Sequence, residues 1–93
     1  MIACNEGRCT IEGPVTAYNV LSLLAQGAQL LTGPRMTVDL SGVTEVDSTA
    51  LSLLLEWRRE AIRNAREVRF RNLPASMKSL AELYGVTELL GED

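Results

Sequence analysis

The sequence predicts a single α/β domain built on a mixed β-sheet, and three observations carry that prediction. Along the chain, apolar residues switch repeatedly between strict alternation and helical spacing. The first two alternating segments are joined by a tight turn and the later ones through helices, which favours antiparallel pairing for the former and parallel pairing for the latter. The chain has 93 residues, room for one modest core, and no repeat, low-complexity stretch or Pro/Gly-rich linker divides it, so residues 1–93 form one domain.

Taken in order, Ile2-Ala3-Cys4 and Arg8-Cys9-Thr10-Ile11-Glu12 read as two short antiparallel strands closed at Gly7. Cys4 and Cys9 flank this turn and could face each other across it. Two cysteines are too few for a disulfide scaffold or a four-cysteine zinc site, and the expectation is a reduced pair packing as small apolar side chains. A helix follows from Thr16 to Leu31, with Ala17, Leu21, Leu24, Ala28 and Leu31 on one face, Thr16 as N-cap and Gly33-Pro34 as the stop. Met36-Thr37-Val38-Asp39-Leu40 alternates and is β-branched, giving a third strand. The segment from Ser41 to Asp47 reads as a loop into a second helix, which runs from Ser48 or Thr49 to about Ala65. Val68 to Arg71 is a fourth strand with Val68 and Phe70 inward. A third helix spans Pro74 to Tyr84, with Met77, Leu80, Ala81 and Tyr84 on one side and Gly85 as its stop. Val86 to Leu90 is a short strand or a helical turn. The predicted order is β-β-α-β-α-β-α.

Composition narrows the function. The chain has no histidine, which excludes an imidazole base, a His-ligated metal and a Ser-His-Asp triad within it. A net charge of −3 argues against nucleic-acid binding by bulk positive charge. There is no phosphate-cradling G-x-x-x-x-G-K-[ST] loop and no G-x-G-x-x-G, so neither catalytic residues, nor a cofactor, nor a metal are expected. No apolar run approaches the roughly 20 residues needed to cross a bilayer, and the start lacks the features of a signal peptide, so a cytoplasmic protein is expected.

The second helix is the informative element. On a wheel, Leu51, Leu54, Ala61, Ile62 and Ala65 form a sheet-facing side, and Ser52, Glu56, Arg59, Arg63 and Arg66 a solvated one. Leu53 and Trp57 fit neither group and share a flank with Thr49 and Glu60. Either a neighbouring loop covers them or they form a partner patch, since buried Trp often anchors protein interfaces. Asp47-Ser48-Thr49 opens the helix, where Asp or Ser caps free backbone N–H groups and where a phosphorylated hydroxyl would also be favoured. Arg58, Arg59, Arg63, Arg66, Arg69 and Arg71 cluster with only Glu60 and Glu67 opposing them between positions 58 and 71, a stretch read mainly as a solvated face with paired charges. Contact with an acidic partner or an anionic membrane surface is the second reading.

The stretch from Met36 through Asp39-Leu40-Ser41 to Asp47-Ser48-Thr49-Ala50-Leu51 resembles the central motif of STAS domains. In that family a strand ending in Asp-Leu-Ser precedes Asp-Ser-Ser-Gly-Leu, or a close variant, at a helix start. The size, the hydroxyl directly after Asp47 and the ending Leu80-Ala-Glu-Leu-Tyr84-Gly-Val resemble the small stand-alone STAS subunits of bacterial Mla-type phospholipid-transport ABC systems. That resemblance implies a non-enzymatic subunit, peripheral to the inner membrane, that binds and supports an ABC-transporter ATPase in a complex with a membrane permease and helps maintain outer-membrane lipid asymmetry. The membrane would be met only through that complex. Contact would run through Asp47, Ser48, Thr49, Leu53 and Trp57, with Ser48 at the centre. The other family role is the anti-sigma-factor antagonist, phosphorylated on the second motif hydroxyl by a serine-kinase anti-sigma factor. That position is Thr49, with Ser48 beside it as a second hydroxyl, and the chain departs from the pattern in carrying Thr49 for Ser and Ala50 for Gly.

Overall fold

The computed structural model describes residues 1–90, and over these the chain runs β1 (Ile2–Asn5), β2 (Arg8–Val15), α1 (Val20–Leu30), β3 (Arg35–Val46), α2 (Ser48–Arg63), β4 (Glu67–Arg71), α3 (Ala75–Leu83) and a terminal turn, α4 (Thr87–Leu90). The predicted order of elements is the observed one, and the last segment is helical. The four strands pair in sequence order, β1 antiparallel to β2, then β2, β3 and β4 parallel, giving the mixed sheet expected from one hairpin and two helical crossovers.

Alternation along each strand sends one set of side chains into a single core: Ile2, Cys9, Ile11, Met36, Val38, Leu40 and Phe70 join Leu23, Leu54, Trp57 and Met77 from the helices. The opposite set, including Thr10, Glu12, Ser41, Arg69 and Arg71, is exposed. Two layers result, with the helices over one face of the sheet and the other face open to solvent.

β3 is longer than the alternation suggested. It continues past Leu40 because two bulges restore its inward phase: Thr10 and Glu12 of β2 stand opposite Asp39 and Gly42, and Gly13 and Val15 stand opposite Val43 and Val46, so β3 spends one extra residue at each step. Leu40 and Val43 are therefore both buried although three residues apart. The longer strand delivers Asp47 to the end of the parallel ladder, at the foot of α2.

Several helix phases differ from expectation. α1 begins at Val20, capped by a turn through Asn19, and not at Thr16; its core contacts are Leu23 and Gly27, whereas Leu21 is 77% exposed. In α2 the buried arc is Ala50, Leu53, Leu54, Trp57 and Ala61, about 100° of the wheel, joined by Leu51. Ile62, expected to face the sheet, is 60% exposed. Ala65 lies beyond the helix in the left-handed region at φ 55°, where the Ala65 N–H reaches the Ile62 carbonyl and the Arg66 N–H the Ala61 carbonyl, the Schellman arrangement usually given to glycine. Gly85 plays the same part after α3, at φ 69°. Tyr84, expected on the buried side of α3, is 58% exposed.

Cys4 and Cys9 are not a reduced pair: they stand directly opposite each other in β1 and β2, with Cα atoms 4.0 Å apart, and are joined by a disulfide. Direct cross-strand pairing is what brings the two thiols together. No helix among the described residues is long and apolar enough to cross a membrane.

Candidate functional site

Asp47 organises the start of α2. Its backbone is extended, and its side chain caps the helix by accepting the Thr49 N–H at 2.9 Å while the Thr49 hydroxyl donates to the same oxygen. The second carboxylate oxygen accepts the Ala17 N–H at 2.9 Å, across thirty positions of sequence. One side chain thus ties the β2–α1 turn to the first turn of α2. The Thr49 hydroxyl, then the Ala17 and Thr49 N–H groups, hold the Asp47 carboxyl below its ordinary range. Asp47 is consequently a charged structural cap at neutral pH, with three of its about four acceptor sites committed to Thr49 and Ala17.

Ser48 is exposed, and Thr49 is half-buried with its hydroxyl proton directed to Asp47. These two open an apolar groove of about 370 Å³ lined by Leu51, Ser52, Leu55, Tyr84 and Val86. The α3–α4 junction forms the groove's far wall, and the Schellman turn at Gly85 sets Tyr84 and Val86 there. On the other side of Asp47, Tyr18 follows the docked Ala17 and is fully exposed, as is much of Leu21 one turn later. The helix start therefore carries two adjacent hydroxyls between exposed apolar and aromatic groups. Such a surface suits protein contact better than chemistry. Among the described residues no group of three His, Cys, Asp or Glu side chains is placed to hold a metal.

Of the five residues expected at a partner surface, the structure brings Asp47, Ser48 and Thr49 together at the helix start and places Leu53 and Trp57 elsewhere. Leu53 is 2% and Trp57 4% exposed, so neither presents a surface to a partner. The cause is α1. Trp57 lies against Gly27, where a Cβ would stand only 2.2 Å from the indole Nε1, and α2 is flanked by α1 on one side and by α3 and α4 on the other. Its buried arc is shifted toward α1 relative to that of a helix resting on the sheet alone. The exposed Tyr84, Tyr18 and Leu21 and the half-buried Leu55 are residues that sequence periodicity assigned inward or passed over. For Leu55 alone there was a sequence signal, four leucines among the five residues from Leu51 to Leu55, too many for one helix face. In the basic stretch, Arg59, Arg63 and Arg69 pair with Glu56, Glu60 and Glu67 at the surface. Exposed pairs of this kind contribute little to stability, typically about 0–1 kcal/mol.

Comparison with solved structures finds the same fold. The anti-sigma factor antagonist SpoIIAA in its unphosphorylated form superposes with a TM-score of 0.74 at 14% identity, covering 100% of this chain and 86% of that one. The Bacillus cell fate determinant SpoIIAA in the phosphorylated form gives 0.69 at 15% identity, covering 100% and 89%. An anti-sigma factor antagonist from Mycobacterium paratuberculosis gives 0.70 at 21% identity, covering 99% and 81%. Comparison with curated protein sequences gives no match. The family model described as "Mlab, STAS domain" matches residues 2–91. With the mixed four-stranded sheet and the Asp47-capped helix already in place, the chain belongs to the STAS-domain family.

Proposed function

We propose that the chain is a non-catalytic STAS subunit that binds and supports the ATPase of an Mla-type phospholipid-transport ABC transporter, at the cytoplasmic side of the inner membrane. The observation that carries the reading is the start of α2: a rigid, Asp47-pinned turn presenting Ser48 and Thr49 beside an apolar groove walled by Leu55, Tyr84 and Val86. The match to a family model whose description names Mlab supports it. In this reading Asp47 is a positioning residue, Ser48 sits at the centre of the contact, and Tyr84, not Trp57, is the aromatic anchor. The permease and the membrane are met only through the ATPase. Co-expression with the ATPase and permease of an Mla-type transporter from the same organism tests it. The expected result is a stable complex that Ser48→Arg or Tyr84→Ala weakens at least tenfold while the isolated domain keeps its melting temperature. Wild-type binding by both variants, or a chain that always purifies alone, overturns the reading.

A second reading, an anti-sigma-factor antagonist controlled at Thr49 with a serine-kinase partner, is favoured by the similarity to antagonist structures solved in both phosphorylation states. A phosphoryl group on Thr49 would replace a donor by about −1.5 to −2 charges directly beside the Asp47 carboxylate, repelling the cap and loosening its hold on Ala17. Mass spectrometry of the protein from cells decides it: stoichiometric phosphate on Thr49 under some condition supports the second reading, and Thr49 unmodified under all of them removes it.

A further inference from the structure

At the opposite end of α2 from the proposed partner surface, residues of α1, α2 and the adjoining strands line a partly enclosed cleft of about 330 Å³. Its walls are apolar: Leu24 and Leu31 from α1, Met36 and Val68 from the sheet, and Trp57 from α2. At a liquid share of about 30 Å³ per water-sized group, it has room for about eleven heavy atoms, at the lower end of small-molecule sites.

Of the polar groups around the cleft, the charge at its mouth singles out the kind of ligand. The Trp57 Nε1–H is buried at the inner wall and has no hydrogen-bond partner, an arrangement that is uncommon for an indole in a protein core. The edge bearing this N–H is packed tightly against α1 at Gly27, where even a Cβ would not fit, so the donor stays sealed behind the cleft wall. The charges at the mouth are Glu56, Glu60, Glu67 and Arg66. The three carboxylates are each matched by an arginine outside the cleft, Arg59, Arg63 and Arg69. Arg66 has no carboxylate partner among the described residues and donates only to the Leu31 carbonyl, at 3.3 Å. The unmatched charge at the mouth is thus a guanidinium, which favours an anion and holds carboxylates well.

We infer that this cleft binds a small amphiphile, an apolar body of about eight to ten heavy atoms ending in a carboxylate, with Arg66 taking the anionic end. The site is independent of the partner surface, since its lining shares no residue with the groove at Ser48 and Thr49.

Octanoate, below its micellar concentration, is the probe, with 1-octanol as its uncharged counterpart and butyrate as the short one. Trp57 is the sole tryptophan, so its emission reports occupancy, and titration calorimetry gives the stoichiometry. The expected result is saturable one-to-one binding of octanoate, at least tenfold weaker binding of octanol and of butyrate, and at least tenfold weakening by Arg66→Gln. Ala28→Leu, made from an exposed α1 position that borders the cleft, abolishes the signal by filling the space while leaving the fold intact. No saturable response to octanoate, or equal affinity in Arg66→Gln and Ala28→Leu, overturns the inference. Octanol binding as tightly as octanoate overturns the assignment of a carboxylate.

Discussion

Gly27→Ala is the most informative single substitution, because helix chemistry and core packing give it opposite signs. On an exposed or loosely covered helix, replacing Gly by Ala stabilises by about 0.8–1 kcal/mol. Here the new Cβ would meet three atoms of one rigid ring, Trp57 Nε1 at 2.2 Å, Cε2 at 2.5 Å and Cζ2 at 2.7 Å. All are well inside the optimum of about 3.5–4.0 Å, so the indole or α1 must move by more than 1 Å. Overpacking of this kind costs about 1–3 kcal/mol, and loss of the Trp57 side chain's packing altogether about 3–5 kcal/mol. After the helix-propensity gain the net expectation is a loss of about 2 kcal/mol, or roughly 8–16 °C in melting temperature for a domain of this size. Thermal and urea unfolding followed by circular dichroism measure it. The double-mutant cycle with Trp57→Phe sharpens the test: in that background the smaller ring relieves the clash, and Gly27→Ala becomes neutral or stabilising. A stabilising effect of Gly27→Ala in the wild-type background would refute the packing of Trp57 on α1 and return the indole to the surface.

Other outcomes follow from the same structure. Leu53→Asp places an unpaired carboxylate in the core and is expected to unfold the domain, so loss of partner binding in that variant reports folding and not an interface. Ala65→Gly relieves a left-handed position at φ 55° and is expected to stabilise by about 1 kcal/mol, visible as a shift of the urea midpoint at unchanged slope. Reducing the Cys4–Cys9 disulfide reopens a very short loop and is expected to cost about 2 kcal/mol, measured as the difference in unfolding free energy with and without a thiol reductant. Asp47 and Asp39 both titrate below their ordinary value of 3.8, Asp47 through Thr49 and Ala17 and Asp39 chiefly through Ser41. A depressed folded-state pKa contributes stability that is fully present above the unfolded value and lost as pH falls through the folded one. Stability should therefore hold from neutrality to about pH 5 and decline below about pH 4, less steeply in Asp47→Asn.

Element order and pairing were legible in the sequence because both depend on local periodicity and connection length: a two-strand start closed at Gly7, then two crossovers, leave few topologies. Helix phase was harder to read. Leu51 and Ile62 project within about 20° of each other on α2, yet they lie eleven residues, about 16 Å, apart along its axis. α3 and α4 cover the first turns, and Leu51 is buried there; the later turns extend past that cover, and Ile62 is exposed. Similarly, Ala50 and Ala61 carry little hydrophobic weight in a sequence pattern but are both buried. Trp57 looked misplaced because its partner on α1 is Gly27, which contributes nothing to an apolar count. At the candidate site, Asp47, Ser48 and Thr49 were readable as a cap, being adjacent in sequence. Ala17, Tyr84 and Val86 were not, since only the bulged extension of β3 and the turn at Gly85 bring them to the same place.

The most direct test of the central claim is a hydrogen-exchange footprint of the chain alone and in the presence of an Mla-type ATPase subunit. The expected result is protection confined to the Ala17–Leu21 turn, the first two turns of α2 from Ser48 to Leu55, and the Tyr84–Val86 junction. Protection confined to the open face of the sheet, or none at all at saturating ATPase, would contradict the claim.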